Sequence, residues 1–142
     1  MTVLLTGASD YIGGRLISVL EKEGVQVRCL SRRPESLNSR VSKSVEVVEG
    51  DALDKESLVR AMSDVETAYY LVHSMGSSGN FVEEERRCAE NFAEAASIAK
   101  VNRIIYLGGL GESSTGLSAH IHSRRQVGDI LRTSSAQIIE FR

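Results

Sequence analysis

The sequence holds a single proline, Pro34, two cysteines, Cys29 and Cys88, and only 5% aromatic residues in 142 positions. One proline leaves no room for a proline-rich linker, and no repeat, low-complexity tract or composition shift divides the chain. With 42% hydrophobic residues the chain can bury one sizeable core but hardly two, so a single domain is expected. The cysteines lie far apart and fit neither a C-x-x-C nor a metal-ligand spacing, which points to buried free thiols in a reducing compartment. No apolar run approaches the roughly 20 residues of a membrane helix, and no charged start, apolar stretch and cleavage site follow one another as in a leader. A soluble, cytoplasmic chain with no membrane partner is expected. Charge of one sign is lacking as well. The formal net charge is −2 and the basic residues are dispersed except in "SRRP" and "HSRR", so the electrostatic footprint of a nucleic-acid binder is missing.

What the sequence does contain is an alternation of short β-branched runs with longer helical stretches. "TVLLT" (2–6), "QVRCLS" (26–31), "SVEVVEG" (44–50), "TAYYLVH" (67–73), "RIIYLG" (103–108) and "AQIIEF" (136–141) read as six strands. Between them, 11–23 places Ile12, Leu16, Val19 and Leu20 on one helical face, with Gly24 as a left-handed stop. Residues 54–62 open on an aspartate cap. In 82–100, Cys88, Phe92, Ala95 and Ala99 make a small-residue stripe, with Glu83 and Arg87 expected to pair outside it. In 117–132, His120, Arg124, Val127 and Leu131 share a face. Uninterrupted apolar strands are buried on both sides, which predicts an α/β fold with a doubly wound parallel sheet of about six strands in the order 3-2-1-4-5-6. Ligands of such sheets sit beyond the carboxyl ends of the strands, at 7–13, 31–33, 51–53, 73–76 and 108–116.

"TGASDYIGG" (6–14) follows a strand and opens a helix, the context in which a glycine-rich turn holds a phosphate. Gly7 suits the tight turn and Gly13 a close helix-to-strand approach, with Ser9, Asp10, Tyr11 and Ile12 between them. The amide hydrogens of the first helical turn then face the place of a pyrophosphate. A bare strand-to-helix connection is the plainer alternative. Asp10 admits two readings: a helix cap on the amide of Ile12 or Gly13, or a carboxylate competing for those donors and repelling the phosphate, by up to about 4 kcal/mol at ~4 Å and an effective dielectric near 20.

From this turn onward the chain resembles the atypical short-chain dehydrogenase/reductases, relatives of nucleoside-diphosphate-sugar epimerases and NmrA-like proteins. Their TGxxGxxG turn is matched at Thr6, Gly7 and Gly13, with Asp10 in place of the middle glycine. The resemblance continues through "RCLSRRPE", "VVEGDALDKESL", "AYYLVHSMG", "NFAEAA" and "RIIYLGGLG". It implies that residues 1–142 form a Rossmann domain for NAD(P), the N-terminal part of a longer architecture whose later segment shapes the substrate pocket. Ser31-Arg32-Arg33 stands where an NAD site carries an acidic residue; an arginine fork there favours NADP over NAD, the alternative being a solvated basic loop. Asp51 is implied to meet the adenine amino group, with Ala52 and Leu53 beside the ring. His73 and Gly108, after the fourth and fifth strands, fall on the nicotinamide side. The family's serine and YxxxK pair are absent. His120 and Arg124 take the places of tyrosine and lysine as candidate catalytic residues, four apart and so on one face. His120 and His122 diverge by about 200° on a helix and make no metal pair. Three functions remain open: an oxidoreductase or nucleoside-diphosphate-sugar epimerase acting on an unknown small molecule, a non-catalytic NADP sensor, and a fold whose Asp10 has abolished binding. The resemblance also implies a homodimer through the helices at 82–100 and 117–132.

Overall fold

The structure, a computed structural model, describes residues 1–8, 11–71, 81–107 and 119–141. Strands β1 (Thr2–Leu5), β2 (Gln26–Ser31), β3 (Glu46–Glu49), β4 (Thr67–Tyr70), β5 (Arg103–Leu107) and β6 (Gln137–Phe141) form one sheet in the order β3-β2-β1-β4-β5-β6. Every neighbouring pair is parallel, as the strand-helix alternation predicts. The helices are α1 (Tyr11–Lys22), α2 (Pro34–Asn38), α3 (Lys55–Ala61), α4 (Phe81–Ala99) and α5 (Ala119–Leu131). Side chains are described from Val82 in α4 and from Arg125 in α5.

The strand period of two sorts the core into two layers. Val3 and Leu5 face α1 and α2, with Ile17, Leu20 and Leu37, while Leu4 faces α3, α4 and α5, with Leu58, Phe92, Val127 and Leu131. Covering on both faces is why these strands carry no polar alternation. Helix α2 is absent from the sequence reading. Its five residues are too few to show a period, and only Leu37 is buried.

The buried face of α1 differs from the expected one. Ile12 and Val19 are 50% and 55% exposed, and the buried stripe is Gly13, Ile17 and Leu20. Gly13 decides the rotation. A Cβ there would overlap the Gly7 carbonyl and stand 2.9 Å from Ala8 Cα, so α1 rests on the turn's backbone at this position and Ile12, its neighbour, turns outward. Gly24, at φ +73°, follows the end of α1 as a left-handed stop, and Asp54 caps α3 by accepting from the Ser57 amide. On α4, Cys88, Phe92 and Ala95 are buried as expected. Glu83, however, pairs with Arg86 rather than Arg87. Arg86 also lies 3.6 Å from Glu90, so it reaches a carboxylate one turn away on either side. Such exposed pairs contribute about 0–1 kcal/mol.

Candidate functional site at the β1–β4 switch point

Strand order reverses between β1 and β4, and a crevice beyond their carboxyl ends is where a doubly wound sheet receives its ligand. Thr6, 1% exposed, ties the two ends together. Its Oγ1 donates to the Tyr69 carbonyl at 2.7 Å and accepts from the Leu71 amide at 3.2 Å. Gly7 follows at φ +72°, where a Cβ would stand 2.8 Å from the Leu71 carbonyl oxygen. Only a residue without a side chain passes here. Gly13 is equally crowded by the backbone of Gly7 and Ala8. Two glycines thus bring the start of α1 directly onto the strand-to-turn backbone, and the helix's first amides, which have no partner within the helix, face the crevice with its positive pole.

Gly13→Ala is expected to destabilise the fold by about 1–3 kcal/mol, because the obstructing atoms belong to the backbone and cannot turn away. Gly14→Ala serves as its control. The nearest atom to its Cβ is the Ala8 carbonyl oxygen at 3.9 Å, so that change should stabilise by about 0.5–1 kcal/mol through helix propensity alone. Urea denaturation of the two variants checks the opposite signs.

Tyr11 is 76% exposed, and the Arg15 guanidinium lies over its ring at 5.0 Å. Beyond β2, the Arg33 amide donates to Ser31 Oγ at 3.0 Å, and both Arg32 and Arg33 are exposed. Beyond β3, the loop 50–54 is built by its own side chains. Asp51 Oδ1 accepts from the Leu53 amide at 2.9 Å, and the Asp51 amide donates to Ser57 Oγ at 3.0 Å. The Ser57 hydroxyl, within 2.8 Å of the Asp54 carbonyl and 3.0 Å of the Asp51 carbonyl, donates to one of them. Gly50 makes room for this: a Cβ there would strike the Leu30 side chain and stand 3.1 Å from Ser57 Oγ. Ala52 is buried and Leu53 exposed.

Sequence reasoning missed three residues, two of them, Ser57 and Asn91, bonded to this loop. Ser57, Asn91 and the buried Glu85 each interrupt an otherwise apolar helical stripe, and that interruption was the available signal. Asn91 Nδ2 donates to the Ala52 carbonyl at 3.0 Å. Cys88, one turn earlier, is pushed up to about 11 by burial first and by the charges of Asp51, Glu84 and Glu85 next, against Arg87. Cys29 is pushed up to about 12 by burial and then by Glu21. Both thiols are therefore protonated at neutral pH and are not nucleophiles.

The structure accordingly brings Gly7, Tyr11, Ile12 and Gly13 to the switch point and sets Arg32, Arg33, Asp51, Ala52 and Leu53 along the same edge of the sheet. His120 and Arg124 lie one turn apart on α5. Ser9, Asp10, His73 and Gly108 lie outside the described residues. Among the described residues no helix is long and apolar enough to cross a membrane, and no group of three or more His, Cys, Asp or Glu side chains is placed to hold a metal ion.

Parallel strands in this order with a glycine turn at the switch point define a Rossmann-type dinucleotide-binding domain. The family model described as NAD(P)H-binding matches residues 7–138, and the chain belongs to that family. It is 28% identical over 114 residues to the auxiliary protein GraX of Staphylococcus aureus, covering 75% of this chain and 36% of that one. It is 27% identical over 114 residues to a 3 beta-hydroxysteroid dehydrogenase/Delta 5-->4-isomerase of Mycobacterium tuberculosis, covering 73% and 30%. The fold is that of the Citrobacter sp. triphenylmethane reductase solved with NADP(H), with a TM-score of 0.79 at 22% identity, covering 97% of this chain and 48% of the reductase. The chain thus spans about a third of the length of these curated relatives.

Proposed function

We propose that the chain binds NADP in preference to NAD and forms the dinucleotide-binding part of an oxidoreductase or nucleoside-diphosphate-sugar epimerase. The pyrophosphate takes the amides of the Gly7–Gly13 turn, including Ser9, Asp10, Tyr11 and Ile12. Arg32 or Arg33 takes the 2′-phosphate, and Asp51, Ala52 and Leu53 take the adenine. His73 and Gly108 flank the nicotinamide. When bound, the dinucleotide would supply hydride chemistry at a carbinol or carbonyl carbon. His120 exchanges a proton with the substrate oxygen, while Arg124 holds an anionic group of the substrate. The observation that carries this reading is the glycine turn at the switch point: a Cβ at Gly7 would meet Leu71 and one at Gly13 the backbone of Gly7 and Ala8, so the two glycines let α1 start directly against the end of β1, where the amides of its first turn suit a phosphate. The names of the dehydrogenase relative and of the reductase with the same fold support hydride chemistry.

A thermal-shift comparison without ligand and with NAD or NADP tests it. At a concentration ~100 times Kd, selective binding adds about 2.7 kcal/mol, which corresponds to about 5–10 °C for a domain of this size. NADP should give that shift and NAD a smaller one. Equal shifts would remove the preference, and no shift with either would overturn the reading.

Glycine at 108 and 109, with His120 and Arg124 in place of tyrosine and lysine, also supports a second reading, a non-catalytic NADP sensor. NADPH oxidation against carbonyl compounds and nucleotide sugars, in a protein that includes any downstream region, separates the two. The proposed homodimer through α4 and α5 is checked by sedimentation equilibrium.

A further inference from the structure

Asn91 is an unusual residue for its position. It sits on α4 between Cys88, Phe92 and Ala95, all buried, where asparagine is a poorer helix former than the alanines around it. Its amide reaches out of α4 to donate to the Ala52 carbonyl, 39 residues away in sequence, at 3.0 Å. Among the described residues the other polar ties of that loop are the bond from the Gly50 amide to the Ser31 carbonyl at its start and local bonds from Asp51, Asp54 and Ser57. Local ties fix the loop's shape and the Gly50 bond holds its start to β2, whereas the Asn91 bond ties its middle, at Ala52, to α4.

We infer that Asn91 is a positioning residue for the adenine end of the cofactor. By holding the Ala52 carbonyl it sets where the Asp51 carboxylate and the exposed Leu53 side chain stand beyond β3. This rests on the dinucleotide reading above. The donor of Asn91 faces a loop carbonyl rather than a ligand, so it acts through residues 51–53.

The test is Asn91→Leu, which keeps about the size of the side chain, raises rather than lowers helix propensity and removes the donor. Binding of 2′,5′-ADP and of nicotinamide mononucleotide, the two halves of NADP, is followed by NMR titration in the wild type and the variant, with folding monitored by circular dichroism. The inference expects 2′,5′-ADP to bind about tenfold more weakly in the variant and nicotinamide mononucleotide to change less than twofold. A purely structural role would weaken both halves together, and that result overturns it. So does an unchanged 2′,5′-ADP affinity while the wild type binds, which leaves the dinucleotide reading intact. A wild type that binds neither half overturns both.

Discussion

Phe92→Ala is expected to destabilise the protein by about 3–5 kcal/mol, the range for emptying a buried aromatic site. Phe92 is fully buried, with its ring edge-to-face on Tyr70 at 4.8 Å and 81°; Tyr70 in turn meets Tyr106 at 5.8 Å and 67°. This aromatic row runs from α4 across β4 to β5, and each such ring pair contributes about 0.5–1.5 kcal/mol beyond its buried area. The surroundings cannot collapse into the vacancy. The flanking α4 positions Ala89, Ala93, Ala95 and Ala96 have no side-chain length to reach it, and the strands are fixed by their ladders. Against a typical total of about 5–15 kcal/mol such a loss removes a large share of the stability. Urea denaturation should show a lower midpoint with an unchanged slope. Phe92→Leu, which keeps most of the volume, should lose less than half as much.

The strand order was legible because the information is coarse. Six apolar runs of strand length, separated by helical stretches, leave few topologies once crossovers are right-handed. What the sequence hid depends on single contacts. The rotation of α1 turns on Gly13, which an apolar count ignores, although its contact with the Gly7 carbonyl outweighs the side chains of Ile12 and Val19. Helix α2 is one turn long and leaves no period to read. Arg86 and Arg87 are neighbours on α4 with carboxylates about one turn away on both sides of each, so spacing alone does not decide that Arg86 is the one that pairs with Glu83. For the site, the turn glycines were readable because the positive φ of Gly7 and the backbone packed around Gly13 exclude a side chain. Asn91 was not, because the bond that gives it meaning ends on a carbonyl, and a carbonyl has no letter in the sequence.

Asp10→Gly is expected to tighten NADPH binding by about 10- to 100-fold. Residue 10 immediately precedes α1 in sequence, and a helix cap loses only a few tenths of a kcal/mol when glycine replaces aspartate. A carboxylate about 4 Å from a phosphate at an effective dielectric near 20 costs up to about 4 kcal/mol. Solvent and salt reduce that figure, since the Debye length is only about 8 Å at physiological ionic strength, but a residue of about 1.4–2.8 kcal/mol still exceeds the lost cap and corresponds to the expected factor. Two causes predict the same direction, because glycine removes the charge and also frees the backbone. Asp10→Asn separates them: asparagine caps as well as aspartate but carries no charge. If repulsion dominates, Asp10→Asn recovers most of the gain, and the advantage of both variants over the wild type shrinks as salt is raised. If backbone freedom dominates, only Asp10→Gly binds more tightly and salt has little effect. Calorimetric titration of the three proteins with NADPH at two ionic strengths gives the answer, and three equal affinities would show that Asp10 neither caps at the cofactor's expense nor repels it.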